Sequence, residues 1–416
     1  MKTDVVVIGA GPAGLSAALE AGENGAGVIV IERESRPGGI LKQCIHDGFG
    51  VVRYNEKLSG PEYAFRDIEA VKARKIEILK NTFVLDLKKK GNRFELLLQN
   101  PVQGVFPVSA TALVAATGCR ERTSRQVFIH GDRPAGIYSA GTAQNLINIH
   151  GYLPGKKCVI LGSGDIGMIM ARRLILEGAE VVGVYEIKKE VSGLTRNLVQ
   201  CLEDFNIPLH LKSTVVKVHG ISRVEGVSVA AVGPDYSPLA GTESYIPCDT
   251  LLLSVGLIPE NEIIEPLGLV MDPTTGGPVV DQQMMTTVPG LFSCGNATHV
   301  NDLVDYVSES GVTAGRAAAG YCQKSCMQGE IEVDAGENLL YAVPQRLVPG
   351  KEAVIYFRSA CTMDKVLLQV KAGDKVLTTK KYIRLRPPEM ERLILDPLPA
   401  GVEKVELSIE EAETDG

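Results

Sequence analysis

No stretch of this chain approaches eighteen consecutive apolar residues, so no membrane-spanning helix is expected. Excess positive charge is missing too. With 43 Lys and Arg against 50 Asp and Glu the net charge is −7, which argues against a general nucleic-acid binder, because such proteins present a basic surface to phosphates. The opening MKTDVVVIGAG enters a strand at once, and no signal peptide is expected. Paired cysteines at regular spacing are absent. The nine thiols, Cys44, Cys119, Cys158, Cys201, Cys248, Cys294, Cys322, Cys326 and Cys361, are scattered. They read as reduced side chains, and the expected compartment is the cytoplasm. Cys322 and Cys326 stand four apart near a predicted helix end, on one face. No second pair stands at metal-ligand spacing, so no metal is expected.

What remains is ordinary globular material, 45% apolar and 22% charged over 416 residues, enough for two to four domains with sizeable cores. The strongest signal in it is a repeat. DVVVIGAGPAGLSAALEAGENGAGVIVIE ends at Glu32, and CVILGSGDIGMIMARRLILEGAEVVGVYE ends at Glu186. Each copy runs from a β-branched strand through a Gly-rich turn into a helical pattern, then a second apolar strand and an acid. That context turns a weak glycine triplet into a dinucleotide-binding fingerprint. Gly9 makes the tight turn, Gly11 lets backbone approach a pyrophosphate, and Gly14 lets the helix pack on its strand; Gly162, Gly164 and Gly167 repeat the scheme. The candidate binding residues of the first copy also include Pro12, Ala13, Glu32 and Arg33. Those of the second include Asp165, Ile166 and Glu186. The pyrophosphate is expected at each helix N-terminus, where unpaired N–H groups face it. Each terminal carboxylate can accept from ribose hydroxyls and repels a 2′-phosphate. Arg172 and Arg173 read as solvated surface charges.

The two copies are nested. LVAATG, residues 113–118, and CDTLLLSVGLIPENEI, residues 248–263, read as buried strands with glycine exits, and the second copy lies between them. The predicted organisation is a discontinuous first domain over 1–120 and 256–330, an inserted domain over 121–255, and a third over 331–416. TTVPGLFSCGN leads into a helix over roughly 303–321. The third segment alternates with period two, as in Val405, Leu407 and Ile409 against Glu406 and Ser408, and predicts a small all-β sandwich. Its role reads either as docking or dimerisation, or as passive. Lys88, Lys89 and Lys90 read as a solvated hairpin turn.

With GAGPAG and Glu32, the PGG turn at Pro37–Gly39, ATG at Ala116–Gly118, GSGDIG and Glu186, and TTVPGLFSCGN, the chain resembles the two-dinucleotide-binding-domain flavoproteins. Glutathione reductase, thioredoxin reductase and NADH oxidases belong there. The resemblance covers the first 330 residues. It implies an α/β fold of two nested Rossmann-like domains, the first for FAD and the inserted one for a nicotinamide nucleotide, with the all-β domain appended. With Glu186 repelling a 2′-phosphate, NADH is expected over NADPH. The resemblance adds Gly39, Ile40, Ala116, Thr117, Gly118, Gly295 and Asn296 to the FAD site. Asn296 stands where the superfamily usually has Asp; it can hydrogen-bond the ribityl chain but not as an anion.

CIHDGFG, GPEYA, ATGCRER, HGDRPAGIYSAGTAQ and CGNATHVNDLVDYVSE carry a narrower likeness. They are similar to the flavin subunits of bacterial hydrogen cyanide synthase and opine oxidase, and more so to the flavoprotein encoded beside glycerol-3-phosphate dehydrogenase in many anaerobes. Such proteins relay electrons between FAD, a nicotinamide nucleotide and a partner flavin or iron–sulfur protein. This chain departs in its tail, which lacks the cysteine-rich cluster domain.

Many relatives carry a redox cysteine pair after the PGG turn. Here one cysteine, Cys44, is followed by His46, so disulfide chemistry is not expected. Cys44 reads either as a thiolate that attacks flavin or peroxide or as a small buried apolar side chain. His46 reads either as a proton donor at the flavin edge or as a structural histidine. Asp165 stands where glutathione reductase has an aromatic gate, so nicotinamide entry should differ. His299, Asn301 and Asp302 precede the last helix, whose N-terminus should face the flavin pyrimidine ring, with Asn301 or Asp302 as its N-cap. The expected activity is that of an NADH-linked electron-transfer subunit, oligomeric and working with a partner dehydrogenase. The alternatives are a self-contained NADH oxidase or peroxidase using Cys44 and a non-catalytic flavin scaffold.

Overall fold

In the computed structural model, which describes residues 1–411 except Gln328 and Ala400, the triplet Val5-Val6-Val7 is wholly buried in the strand Lys2–Ile8. A strand shielded on both faces belongs inside a parallel sheet, and this one has parallel neighbours on both sides. Val5 pairs with Val28 in one direction and with Ala112 in the other. The last five residues of the expected third domain lie outside the described residues.

The chain divides into two units, Met1–Cys119 with Pro259 onward, and Arg120–Ile258. Five helices of nine or more residues occur among the described residues: α1 (Pro12–Glu23), α2 (Gly60–Ala73), α3 (Ala140–Asn148), α4 (Asp165–Leu176) and α5 (Val304–Cys322).

The sheet of the first unit runs in the order Glu77–Leu79, Val28–Ile31, Lys2–Ile8, Gly104–Ala115, Arg93–Asn100, Phe83–Lys90, with Leu291–Ser293 also beside Gly104–Ala115. The first part is parallel and the last an antiparallel meander. The meander's turn falls at Gly91 and Asn92, so the three lysines sit in its strand instead of in the turn. Lys89 is drawn out of solvent because its ammonium reaches the Pro289 carbonyl at 2.7 Å and lies over the Phe94 ring.

On one face of this sheet α1 and α5 cross at backbone distance. A Cβ on Gly311 would stand 2.2 Å from the Ala13 oxygen, and one on Gly315 2.2 Å from the Ala17 oxygen. The small residues are a requirement of that approach. The GPEYA stretch opens α2 with a capping box: Glu62 N–H donates to the Ser59 hydroxyl, and Ser59 N–H donates to the Glu62 carboxylate.

The same unit ends in a two-sheet sandwich. One sheet has the order Arg346–Leu347, Ile331–Ala335, Lys404–Glu411, Met363–Ala372, Lys375–Leu385; the other is Leu339–Val343, Ala353–Ser359, Glu391–Leu395. Val405, Leu407 and Ile409 point into its core with Phe357, Val366 and Leu368. The period-two pattern therefore reads out as an inner and an outer face.

The second unit holds a fully parallel sheet, Ile137–Ser139, Thr250–Leu253, Lys157–Leu161, Glu180–Glu186, Leu209–Leu211. A smaller sheet contains Ser213–His219, Gly226–Ala231 and Ser244–Pro247. Among the described residues no helix is long and apolar enough to cross a membrane.

The contact at Gly315 is unforgiving because its neighbour is backbone. Gly315→Val is expected to cost about 3 kcal/mol by overpacking. The check is the urea midpoint followed by circular dichroism; an unchanged midpoint would show that the two helices can separate without loss.

Candidate functional site: two glycine cradles

The strand Lys2–Ile8 ends at Gly9, which has φ +102° and whose Cβ would stand 2.3 Å from the Ala116 oxygen. Only glycine satisfies both conditions. A Cβ on Gly14 would meet the Gly9 oxygen at 1.9 Å, so α1 is pressed onto the turn. Above Gly11 there is room: the nearest group to its absent Cβ is the Gly39 Cα at 3.9 Å. The Pro37–Gly39 turn comes alongside and is tied by Gly38 N–H to the Ala10 carbonyl at 2.8 Å. Gly11 caps α1 with no side chain and Pro12 takes the first helical position, so the helix start offers unpaired N–H groups at Ala13 and Gly14. A phosphate fits this cradle.

Glu32 is buried, and its two oxygens accept from Ala10 N–H and Glu34 N–H, each at 2.8 Å. It braces the glycine turn and retains lone pairs for a ribose hydroxyl. Arg33 beside it is exposed, as is Ile40. Ala116 N–H donates to Ile8 O at 2.9 Å, the Thr117 hydroxyl donates to Glu260 O, and Gly118 turns with φ +74°. Gly295 also reaches the helix start, since its Cβ would lie 2.8 Å from the Ala13 Cβ, and its N–H donates to the Ser310 hydroxyl. The structure thus gathers Gly9–Gly14, Gly39, Ala116 and Gly295 at one place, and these residues fit FAD.

Asn296 sits there with its amide turned to the protein. Its oxygen accepts from Asn301 N–H and Nδ2, and its Nδ2 donates to the Cys119 sulfur at 3.5 Å. Neither Asn301 nor Asp302 caps the last helix. The N-cap of α5 is Leu303, with no side-chain bond, because Asn301 is held by Asn296 and Asp302 by Arg358.

Cys44 is 5% exposed, and its thiol donates to the Ile40 carbonyl at 3.4 Å. Burial pushes it up to about 12, which favours the neutral thiol. All nine cysteines are present as thiols. The His46 Nδ1 lies 3.2 Å from Asp47 O, and its ring is tilted on Phe49. Cys322 closes α5 and Cys326 lies beyond it, so the two share no helix face; they bond to Asp4 O and Gln283 Oε1.

Sequence reasoning missed Arg53, which no motif marks. Its guanidinium reaches the Ser16 hydroxyl, the Tyr63 hydroxyl and Asp67 at 3.2, 3.3 and 2.9 Å, and its N–H reaches Asp305 at 3.0 Å. One residue thereby ties the segment after Cys44 and His46 to α1, α2 and α5. Burial pushes the Asp67 carboxyl up, with Arg53 opposing it.

His299 is also buried, between Tyr341 and Tyr356 with ring centroids 5.8 Å away, and its Nδ1 has no hydrogen-bond partner among the described residues. Burial, with the Arg358 charge adding, pulls it down to about 3. It faces the sandwich.

The second cradle repeats the first. Gly162 has φ +98° with its Cβ position 2.0 Å from Ser254 O, and Gly167 would meet Gly162 O at 2.6 Å. Gly164 caps α4 without a side chain, and Ile166 is in its first turn. Glu186 accepts from Ser163 N–H, the Ser163 hydroxyl and Lys188 N–H. Asp165 is a clasp: it accepts from Leu194 N–H at 2.9 Å and Asn197 Nδ2 at 2.6 Å. The segment so held lies at the helix start, with the Gly193 Cβ position 2.9 Å from Asp165 N. Glycine turn, helix start and buried acid fit a nicotinamide nucleotide. Arg173 pairs with Glu177, and Arg172 lies over the Phe205 ring.

The model of the pyridine nucleotide-disulphide oxidoreductase family matches residues 3–319, leaving the sandwich outside the match. Hydrogen cyanide synthase subunit HcnB of Pseudomonas protegens is 29% identical over 289 residues, 65% of this chain and 60% of that protein. An opine oxidase subunit of Agrobacterium tumefaciens is 25% identical over 321 residues, 71% and 61% of the two chains. The chain therefore spans about three fifths of the length of these relatives. Thioredoxin reductase of Lactococcus lactis superposes with a TM-score of 0.63 at 19% identity, covering 77% of this chain and 99% of that one. That likeness speaks for the fold. Members of the family are FAD-dependent oxidoreductases, and homologues bind FAD and NAD(P)H.

Two measurements check these contacts. Removing one partner of a buried ion pair strands the other, so Arg53→Met is expected to cost about 3 kcal/mol in urea unfolding, and adding Asp67→Leu should recover part of it. No recovery in the double variant would mean that Arg53 acts through its other bonds. His299 titrates near 3 when folded against 6.5 unfolded, so the unfolded chain takes up the proton first. Stability is then lost as pH falls below 6.5. Between pH 7 and 4.5 the wild type should lose about 2 kcal/mol more than His299→Gln; parallel profiles would refute the assignment.

Proposed function

Because the chain belongs to the pyridine nucleotide-disulphide oxidoreductase family, we propose that it holds FAD in the first cradle and NADH in the second, and serves as an electron-transfer subunit for a partner dehydrogenase. The observation that carries this is the pair of uncapped helix starts, at Gly11 and Gly164, each beside a buried acid. When bound, FAD would supply the hydride chemistry with a nicotinamide nucleotide. The chain's own residues do the holding. Ala13 and Gly14 present N–H groups to a pyrophosphate, Glu32 and Glu186 fix the glycine turns and receive ribose hydroxyls, and Glu186 disfavours a 2′-phosphate.

The proposed chemistry uses no redox disulfide. Burial favours the neutral Cys44 thiol, which speaks against a sulfenic-acid cycle, because the thiolate is the nucleophile in that cycle. In this reading Cys44 packs and His46 orients its segment. The partner is proposed from the resemblance to flavoproteins associated with glycerol-3-phosphate dehydrogenase, and two relatives are themselves named as subunits. The proposed setting is the cytoplasm, on the scattered-thiol argument.

One anaerobic experiment tests the reading. Purified protein should be yellow, and NADH should bleach the flavin faster than NADPH; Gly11→Val, which fills the phosphate space, should be colourless. Cys44→Ser should bleach at the wild-type rate and leave a slow peroxide turnover unchanged. Fast peroxide reduction lost in Cys44→Ser would favour the peroxidase instead.

A further inference from the structure

The sandwich lies outside the family match, and its contact with α5 is built from charged groups that the proposed electron transfer leaves unexplained. Arg358, on the strand Ala353–Ser359, projects its guanidinium onto the turn that leads into α5. Its Nη2 donates to Asp302 and to the Val300 carbonyl at 3.3 Å. Its Nη1 donates to Pro388 O and Pro387 O, and its Nε to the Tyr341 hydroxyl at 2.8 Å. Asp302 is gripped from a second side by Met390 N–H at 2.6 Å. Both side chains are mostly buried, 13% and 18% exposed.

A second clamp lies further along the helix. Glu309 accepts from Arg392 Nη2 at 2.7 Å and from the Tyr356 hydroxyl. Between the clamps sits His299, which burial keeps neutral.

The turn that Arg358 holds is the one that reaches the first cradle. Asn301, next to Asp302, is bonded to Asn296, and Gly295 stands against Ala13 at the start of α1. A continuous path of bonds and contacts thus runs from Arg358 through Val300–Asp302 and Gly295 to the helix start.

We propose that the C-terminal sandwich is the outer clamp of the first nucleotide site, and that Arg358 is a positioning residue that fixes the 295–302 turn against the bound flavin. It rests on the assignment of FAD to that cradle. The sandwich is then neither a passive appendage nor primarily a docking module. Removing Arg358 takes the cation away from Asp302 and a donor away from the Val300 carbonyl, so the turn becomes more negative and loses part of what fixes its shape. Both changes weaken binding, and the added negative potential disfavours the reduced, anionic flavin.

The test uses the full-length holoprotein and three variants: Arg358→Met, Arg358→Lys and Arg392→Met, the last loosening the second clamp alone. The readouts are the FAD dissociation constant from the fluorescence of released flavin, the flavin midpoint potential from dye-equilibrated reduction, and circular dichroism for folding. Arg358→Met is expected to weaken FAD about tenfold, some 1.4 kcal/mol, and to shift the potential to more negative values. Arg358→Lys should restore most of the potential and little of the affinity, because the charge returns without the planar fork. Arg392→Met should change affinity less than about threefold and leave the potential in place.

A folded Arg358→Met with wild-type affinity and potential overturns the proposal. So do equal effects of Arg358→Met and Arg392→Met, which would mean general loosening. If Arg358→Met does not fold, the potential and affinity of Arg358→Lys decide by the same criteria. A wild type that binds no FAD instead sinks the assignment of the cradle itself.

Discussion

A helix can offer its N-terminal N–H groups to a pyrophosphate only if the chain entering it turns tightly and leaves the space in front empty. Two opposed distances at the first cradle state that constraint. Gly14 is pressed so close to Gly9 that a Cβ would sit 1.9 Å from a carbonyl oxygen, while Gly11 has no atom nearer than 3.9 Å to where its Cβ would be. The first is packing that permits nothing larger; the second is room kept for something else. Glu32 holds the arrangement from below by accepting the N–H of Ala10, and the second cradle obtains the same rigidity from Glu186 and Ser163. A carboxylate at the end of the second strand is therefore a brace, in addition to the ribose contact proposed for it.

The rest of the first unit serves to keep that turn in place. Helices α1 and α5 meet through glycine and alanine at backbone distance, so any movement of α5 is felt at the start of α1. Arg53 gathers Ser16, Tyr63, Asp67 and Asp305 from three helices and fixes the segment that follows Cys44 and His46. The cost is the burial of Asp67, which Arg53 offsets and which a lone carboxylate could not bear.

Charge decides the fate of several residues that look alike on paper. Asp165 and Asp302 both stand near helix starts and both resemble caps or ligands. One clasps Leu194 and Asn197, and the other is drawn away from α5 by Arg358 and Met390. Burial favours the neutral form of both His299 and Cys44. In each case the local pattern names the side chain's abilities and the surroundings select among them.

Both glycine cradles, their terminal acids and the sandwich strands were legible in advance because they rest on short-range rules: a positive φ, a helix that follows a strand, an alternation of period two. Short spans of chain suffice to state them, as in Gly9–Glu32 and Val405–Ile409. Arg53, Arg358 and Glu309 were not legible, since their partners lie at separations from 10 to 252 residues and arginine has no pattern that announces a partner. The capping of α5 was misread because other bonds compete for both side chains: Asn301 and Asp302 have the right chemistry, but the competing acceptor comes from Asn296 nearby and the competing donors from distant Arg358 and Met390. Where a dinucleotide can rest is written in the order of residues, because backbone geometry at a glycine turn is a local matter. Which charges hold that turn still is settled by the folded chain, because an ion pair forms wherever folding brings two side chains together, whatever their distance along the chain.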